Sequence, residues 1–436
     1  MKIMYPGLMK PVLQVALDFV DLKRALKVAE ETIKGGADWL EAGTPLIKAE
    51  GMNAIRELRR IFPGSKIVAD MKTMDAGRIE VEMAAKAGAN IVEILGGASD
   101  ATVRECIEAG KNYGAEILVD MLEVNNPVSR AKKMERFGAN YIGVHTPIDT
   151  QMLGMEPFEI VEKVSKAVNL PVAVAGGINS ENVVKAIRSG ADIVIVGGAI
   201  IKSENAELAT RKIKTAMQTM KEIKTTLYKR VSIKDIYKIL KLVSTPNISD
   251  AMHRTGDLKE IKQIVEGTKL AGKAITVRTY PGDWAKPVEA IDIAEEGDVI
   301  VIDSGGTGPA VWGELATESA IQKKLSGVVV YGAIRDVPEI KRLKFPSFAK
   351  LISPSAGEPR GLGEINIPIS IGGIKIYPGD WIVGDDDGVV VIPQAKAVEI
   401  ANRAMDVMER ENRIRKEIRE GNTLSSVMEL LKWEKK

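Results

Sequence analysis

Charged and titratable side chains stand at or just after the ends of short apolar runs in the first half of this sequence. They are Asp18, Glu41, Asp70, Lys72, Asp75 and His145. Asp70 and Lys72 are two positions apart, so on a strand they share one face, where a carboxylate and an ammonium keep each other ionised. Glu41 can join Asp70 around a hard divalent cation, which prefers oxygen ligands. The alternative is a structural ring of ion pairs that holds no metal.

Two pairs of glycines follow later apolar runs. Gly176 and Gly177 come after Pro171–Ala175, and Gly197 and Gly198 come after Ile193–Val196. Paired glycines let backbone N–H groups approach an anion, and a helix that begins there favours negative charge. Together the two pairs predict a phosphate-binding site.

The elements that must position these groups repeat along the first half of the chain. Apolar runs recur at intervals of roughly 25 residues, the length of one β/α unit. The runs are Leu13–Leu17, Trp39–Ala42, Lys66–Ala69, Ile91–Leu95, Glu116–Val119, Tyr141–Val144, Pro171–Ala175 and Ile193–Val196. Helical patterns such as Leu22–Lys34 lie between them, and several end in a glycine suited to a left-handed cap. The pattern predicts an α/β fold, a (β/α)₈ TIM barrel whose active site lies at the C-terminal ends of the strands.

The later sequence loses this period. We place the barrel at residues 1–215, a Lys-rich helical connector at 216–243, a second domain of strand-like runs and Gly-rich turns at 244–395, and a charged helical tail at 396–436.

Composition narrows the class of protein. The net charge is +2, hydrophobic residues make up 45% and charged residues 28%. These values favour a globular protein with neither a membrane nor a nucleic acid as direct partner. The single cysteine, Cys106, cannot form an internal disulfide, and no N-terminal apolar run resembles a signal peptide. We therefore expect a cytoplasmic protein.

The hexapeptide Asp70–Asp75 resembles the Asp-x-Lys-x-x-Asp signature of the orotidine 5′-monophosphate decarboxylase suprafamily, and the resemblance covers about residues 10–215. The group includes the 3-keto-L-gulonate-6-phosphate decarboxylases and the 3-hexulose-6-phosphate synthases. The metal-free orotidylate enzymes carry a lysine at the position of Glu41, so Glu41 favours the Mg²⁺-dependent branch. Ala69–Gly77, His145–Gln151 and Val196–Ile200 look most similar to the synthases, and the last segment lacks the arginine usual in keto-gulonate decarboxylases.

Resemblance to the synthases implies a reversible aldol condensation of D-ribulose 5-phosphate with formaldehyde. It implies that Mg²⁺ on Glu41 and Asp70 acts as a Lewis acid for an enediolate at C1 and C2. Lys72 would oppose the developing negative charge, and His145 would transfer the proton at C1.

The same resemblance implies roles for two further aspartates. Asp18 and Asp75 would orient Lys72 and the sugar hydroxyls. By analogy, Asp75 projects into the site of a second subunit, which implies a barrel homodimer.

Residues of about 244–395 resemble the family of ribonuclease-activity regulator A (RraA) and 4-hydroxy-4-methyl-2-oxoglutarate aldolase, which has a swivelling β/β/α fold. The motif Arg335-Asp336-x-x-Glu339 matches the pattern that separates the aldolases from the regulators. In the aldolases the arginine binds a pyruvate carboxylate and the aspartate ligates a divalent metal, so the resemblance implies a second metal here. Gly313, Glu314 and Leu315 would line the same site.

Three uses of this second domain remain open. The first is catalysis, as a pyruvate-type aldolase or oxaloacetate decarboxylase. The second is a non-catalytic protein-binding module, and the third is a platform for the assembly of trimers or hexamers.

For the whole chain, the main alternative is a 3-keto-L-gulonate-6-phosphate decarboxylase. A second alternative is a regulatory binding protein in which the C-terminal half carries the function and the barrel senses phosphosugars.

Overall fold

The computed structural model describes residues 10–225 and 236–428. The chain divides into two compact units. A barrel unit comprises Met1–Gln151, Met155–Arg230 and Glu409–Lys436, and a second unit comprises Met152–Gly154 and Val231–Met408.

Eight parallel strands close the barrel in chain order, β1 pairing with β8. They are β1 (Val12–Leu17), β2 (Trp39–Ala42), β3 (Lys66–Thr73), β4 (Ile91–Leu95), β5 (Glu116–Asp120), β6 (Tyr141–His145), β7 (Val172–Ala175) and β8 (Ile193–Val196). Each coincides with a predicted apolar run to within a residue or two, except β3, which extends four residues further. The predicted TIM barrel is therefore confirmed.

Helices follow the strands and cover the outside of the barrel. They are α1 (Leu22–Lys34), α2 (Thr44–Glu50), α3 (Asn53–Ile61), α4 (Gly77–Ala87), α5 (Asp100–Tyr113), α6 (Pro127–Phe137), α7 (Ile148–Met152), α8 (Phe158–Ser165), α9 (Val183–Arg188), α10 (Gly198–Ile201) and α11 (Ala206–Thr219). Their apolar faces pack on the outward strand residues in one large core. The glycines that end α1, α4 and α6 do adopt left-handed conformations, at Gly36, Gly88 and Gly138.

The barrel interior is built from alternate strand residues, because successive side chains of a strand point to opposite faces. An apolar layer inside the barrel includes Trp39, Val68, Ile91 and Leu118. The next inward positions, two residues further along each strand, are Glu41, Asp70, Glu93 and Asp120, all buried. The pleat thus gathers acidic side chains into one layer at the C-terminal ends of the strands.

The second unit is built on a mixed nine-stranded sheet whose main path runs β19-β18-β10-β11-β13-β14-β9, with β12 beside β13 and β15 beside β10. The strands of this sheet are β9 (Lys262–Gln263), β10 (Leu270–Thr279), β11 (Val299–Asp303), β12 (Ala310–Trp312), β13 (Gly327–Ile334), β14 (Ser347–Ile352), β15 (Gly363–Ile365), β18 (Trp381–Asp385) and β19 (Gly388–Ile392). Two further strands, β16 (Ile369–Ile371) and β17 (Ile374–Ile376), form a separate hairpin. The long β10 belongs to both halves of the path and curls the sheet towards a nearly closed barrel, as predicted for a swivelling β/β/α domain.

The remaining helices are α12 (Ile236–Leu242), α13 (Thr245–Ala251), α14 (Ala285–Ile293), α15 (Glu314–Gln322), α16 (Val337–Leu343), α17 (Ala397–Arg419) and α18 (Leu424–Val427). The predicted connector at 216–243 is described only in part, since 226–235 lie outside the described residues. Residues 429–436 of the predicted tail also lie outside them. Across 10–225 and 236–428, the helices are too short or too polar to cross a bilayer.

Candidate active site

Lys72 lies at the centre of the acidic layer in the barrel. Its Nζ is 2.9 Å from Asp70 Oδ1, 3.2 Å from Asp120 Oδ2 and 3.4 Å from Glu93 Oε1. Burial alone would lower the pKa of Lys72, but the charges of Glu93, Asp120 and Asp70 together raise it above its usual range. Lys72 is therefore a fixed positive charge rather than a base.

Strand β3 reaches this geometry by leaving regular β structure. The pairing with β4 shifts register between Asp70 and Thr73, and Lys72 has a left-handed φ of 50°. A non-glycine residue held in this region costs of order 1–3 kcal/mol, and such strain is concentrated at functional sites. Simple alternation along the strand correctly predicted that Lys72 and Asp70 meet, but it did not predict this irregular backbone.

Glu41 and Asp70 are each held by a neutral neighbour. Gln14 Nε2 donates to Glu41 Oε2 at 2.7 Å, and Thr44 Oγ1 donates to Asp70 Oδ2 at 2.6 Å. Burial, together with the charges of Asp70 and Asp18, raises the pKa of Glu41 to about 8. The two carboxylates therefore repel each other in a buried site.

This donor set fits a divalent cation. A cation between Glu41 and Asp70 would offset the repulsion that raises the pKa of Glu41, and carboxylate oxygens are the ligands that Mg²⁺ uses. In the described part of the chain, no three acidic, histidine or cysteine side chains form a ready-made metal site. Mg²⁺ is nevertheless commonly bound through one or two carboxylates, with water and substrate oxygens completing the shell. Glu41 and Asp70 would therefore hold the ion only in part.

His145 ends β6 next to the cluster. Its Nδ1 lies 3.3 Å from Asp120 Oδ2, and the Asp120 side chain is almost completely buried. Burial alone would raise the pKa of Asp120, but the hydrogen bond and charge of His145 and the charge of Lys72 lower it to about 2. A permanently charged carboxylate thus orients the imidazole, the arrangement of a general acid–base pair.

The glycine turns complete the same cavity, which has a volume of about 430 Å³. It is lined by Gly176, Gly177, Gly197 and Gly198 as well as by Asp18, Glu41, Asp70, Lys72 and His145. Gly197 approaches Asp18 closely, since a Cβ built there would lie 3.0 Å from Asp18 Oδ2. One cavity therefore combines the titratable cluster with the predicted phosphate turns.

Asp75 is the one predicted barrel residue that does not join this cavity. It is exposed, and its Oδ1 accepts the backbone N–H of Ala76 at 2.8 Å. Within one chain Asp75 does not contact Lys72, so it cannot orient that side chain there. Its role in the site of a second subunit stays a prediction.

Sequence reasoning missed Glu93, Asp120, Gln14, Thr44 and Gln151. Glu93 and Asp120 lie in strands that otherwise read as apolar, Ile91–Leu95 and Glu116–Asp120. A carboxylate at an inward position of such a strand is the signal that could have identified both, because an unpaired buried charge is costly.

The six residues predicted for the second domain line a single cavity of about 610 Å³ together with Trp284 and Trp312. They are Gly313, Glu314, Leu315, Arg335, Asp336 and Glu339. Arg335 Nε is 3.5 Å from Asp336 Oδ2, and both side chains are exposed to the cavity and solvent.

Asp336 is positioned by the backbone around it. It has a left-handed φ of 56°, and its Oδ2 accepts the N–H of Glu314 at 3.2 Å. The Glu314 amide is therefore already used by Asp336.

The barrel and the second domain match two different protein families. The orotidine 5′-phosphate decarboxylase / HUMPS family model matches residues 11–213, and the RraA-like Aldolase/RraA model matches residues 245–391. A 3-hexulose-6-phosphate synthase of Bacillus subtilis is 39% identical over 201 residues, which cover 46% of this chain and 95% of that protein.

Two solved structures are also similar to parts of the chain. A 3-hexulose-6-phosphate synthase from Salmonella typhimurium is 34% identical, covers 48% of this chain and 99% of its own, and has a TM-score of 0.47. The RNA-processing inhibitor RraA from Thermus thermophilis is 27% identical, covers 35% of this chain and 93% of its own, and has a TM-score of 0.33.

Proposed function

By its barrel this chain belongs to the orotidine 5′-phosphate decarboxylase / HUMPS family, and from that premise we propose that the barrel is a 3-hexulose-6-phosphate synthase. It would join D-ribulose 5-phosphate to formaldehyde in a reversible, Mg²⁺-dependent aldol reaction. The observation that carries the proposal is that one cavity is lined by Lys72, His145, the glycine turns and the carboxylates of Glu41, Asp70 and Glu93. Identity of 39% to a synthase across nearly the whole of that protein supports it.

The residues divide the reaction between them. His145, oriented by Asp120, takes the proton from C1 of the sugar, and the resulting enediolate carries its negative charge near Lys72. C1 then attacks the formaldehyde carbon, and the new alkoxide takes up a proton. Glu41 and Asp70 would hold a Mg²⁺ ion, which would supply Lewis-acid chemistry to the reaction. Because three carboxylates keep Lys72 protonated, its part is electrostatic.

The glycine turns after β7 and β8 support a phosphosugar as the substrate. In the described part of the chain, the N–H groups of Gly176, Gly177 and Gly197 donate to no protein acceptor. Orphan amides at the C-terminal ends of β7 and β8 are the donors with which barrels of this kind bind phosphate.

The decisive experiment incubates the purified full chain with D-ribulose 5-phosphate and formaldehyde, with Mg²⁺ or with a chelator. We expect Mg²⁺-dependent consumption of formaldehyde and its release from the hexulose phosphate in reverse. Glu41→Gln should lose most of the activity, whereas Glu116→Gln, at the opposite end of the barrel strands, should not. Release of CO₂ from 3-keto-L-gulonate 6-phosphate without aldol activity would instead establish the decarboxylase.

We further propose that the barrel dimerises. Met74, Ile79 and Met83 are 55%, 57% and 45% exposed, and the last two share one face of α4 beside Asp75. Light scattering should find a dimer that Ile79→Glu weakens. A monomeric wild-type chain at micromolar concentration would contradict this.

For the second domain we propose a divalent-metal site for small 2-oxo carboxylates. Arg335 can clamp a carboxylate, and Asp336 and Glu339 offer metal ligands in one cavity. Metal-dependent decarboxylation of oxaloacetate by the full chain tests it. Arg335→Met should abolish this activity. Arg342→Met should not, because Arg342 lies on the following helix α16 and outside the cavity. Activity that survives Arg335→Met would refute the proposal.

A further inference from the structure

Gln151 is a buried polar residue of the barrel cavity that the proposed chemistry does not use. It lies in α7, is 4% exposed and lines the same cavity as Lys72 and His145. Its Nε2 donates to the carbonyl oxygen of Thr146 at 2.8 Å. This bond fixes the amide orientation, because the flipped amide would set two acceptor oxygens against each other.

The oxygen of the Gln151 amide lacks a hydrogen-bond donor in the described part of the chain. Gln151 Oε1 is buried and has no hydrogen-bond partner among the described residues. A buried acceptor without a donor loses its hydrogen bonds to water and gains none in return, so native structures retain few of them and usually for a reason. The oxygen therefore needs a donor that residues 10–225 and 236–428 do not provide.

The position of Oε1 limits what that donor can be. It faces the turn after β7, where a Cβ built on Gly177 would lie 3.5 Å away. The ligand that reaches this turn is the phosphate end of the substrate, but a phosphate dianion has no hydrogen to donate. A sugar hydroxyl beside the phosphate does have one.

We propose that Gln151 is a specificity-determining residue whose Oε1 accepts a hydrogen bond from the hydroxyl nearest the phosphate of the bound phosphosugar. For a pentulose 5-phosphate this is the hydroxyl on C4. The proposal rests on the proposed function only in that the cavity binds a phosphosugar. It predicts that the site selects polyhydroxylated sugar phosphates over deoxy analogues, because an analogue without the hydroxyl leaves Oε1 buried and unpaired.

Calorimetric binding of D-ribulose 5-phosphate and its 4-deoxy analogue to the full chain tests this, without formaldehyde and with Mg²⁺ present. Wild type should bind the analogue about tenfold more weakly, and Gln151→Met should bind the two with affinities within about twofold of each other. Inorganic phosphate, as a probe of the glycine turns alone, should bind wild type and variant equally.

Each result decides the question. Equal affinity of wild type for the two sugars overturns the proposal without any variant. Equal losses of phosphate and sugar affinity in Gln151→Met also overturn it, since the residue would then only position the turn. Because the measurement is binding, a chain that binds ribulose 5-phosphate but catalyses no aldol reaction refutes the proposed function and leaves this inference standing.

Discussion

The ammonium of Lys72 pairs with three buried acidic side chains and also faces the substrate cavity. Lys72→Met should abolish the aldol reaction, because the charge that opposes the enediolate is lost. It should also lower the free energy of unfolding by about 3–5 kcal/mol, because Asp70, Glu93 and Asp120 are left uncompensated. Turnover and urea unfolding measure the two effects.

A second substitution separates the loss of activity from the loss of stability. Glu93→Gln in the Lys72→Met background removes one uncompensated carboxylate and should restore part of the stability but none of the activity. Recovery of turnover in the double variant would show that Lys72 acts only through folding.

Asp120 orients the imidazole of His145 from a buried position. Asp120→Asn should reduce kcat by up to about 10²-fold, the scale of general acid–base catalysis, with little change in KM for ribulose 5-phosphate. Glu116→Gln is the matched control on the same strand, where the carboxylate pairs with Lys66 away from the cavity. A KM effect without a kcat effect would place Asp120 in substrate binding instead.

The lowered pKa of Asp120 also predicts how stability depends on pH. The pKa is about 2 in the fold against 3.8 unperturbed, so the stabilisation is present above pH 4 and lost as the pH falls through about 2. The quantity to measure is the difference in unfolding free energy between wild type and Asp120→Asn. It should shrink by about 2 kcal/mol between pH 4 and pH 2. A difference that grows on acidification would contradict the assignment.

The sequence predicted those site residues that stand out by position. Asp70, Lys72 and His145 lie at or near strand ends, and the structure brings them together. Glu93 lies inside an apolar run, and Asp120 came one residue after the predicted strand. A single strand shows only that each carboxylate is at an inward position. Which side chains it meets depends on barrel closure, which places the inward positions of adjacent strands side by side.

At the scale of elements, the glycines that follow α4 and α6 allow a direct comparison of two helix ends. Gly138 after α6 and Gly88 after α4 have φ of 96° and 110°. A Cβ on Gly138 meets nothing closer than 3.8 Å, whereas one on Gly88 lies 2.8 Å from Arg59 Cγ. Gly138→Ala should cost about 1–2 kcal/mol from backbone strain alone. Gly88→Ala should cost about 1–3 kcal/mol more from overpacking.

Urea unfolding of the two variants checks this difference. Equal costs would mean that Arg59 moves aside freely, although its guanidinium donates to the carbonyl oxygens of Gly88, Pro63 and Ser65.

The elements themselves were predicted unevenly, for a physical reason. The barrel strands are buried on both faces, so each reads as a compact apolar run, and all eight were found. Helix α2 was missed because it is short and begins at a Thr-Pro that also suits a turn. In the second unit, β10 begins at Leu270, where it pairs antiparallel with β18. Pairing between residues more than a hundred positions apart leaves no local periodic signal.

At the scale of the whole molecule, the last part of the chain belongs to the barrel unit. Residues from Glu409 onwards cluster with it, and Arg413 is the most deeply buried cation of this segment. Its guanidinium donates to both carboxylate oxygens of Glu31 on α1 at 3.1 and 3.2 Å and to Glu417 at 3.0 Å. It also donates to the carbonyl oxygen of Ser203 at 3.3 Å, shortly after the glycine turn of β8.

This network predicts that the barrel depends on α17, which begins about two hundred residues after the end of β8. Arg413→Met should destabilise the barrel by about 1–3 kcal/mol, because the half-buried Glu31 and the buried Glu417 lose a hydrogen-bonded guanidinium, although Glu417 keeps Arg24. Arg415→Met is the matched control, since its exposed pair with Glu411 contributes less than about 1 kcal/mol. Hydrogen exchange measured peptide by peptide reports β1–β8 separately from the second unit, so it does not require the whole chain to unfold in one step. We expect faster exchange in the barrel strands of Arg413→Met alone. Identical exchange in the two variants would mean that the first 225 residues hold the barrel unaided, as the length of the single-domain synthase relatives would suggest.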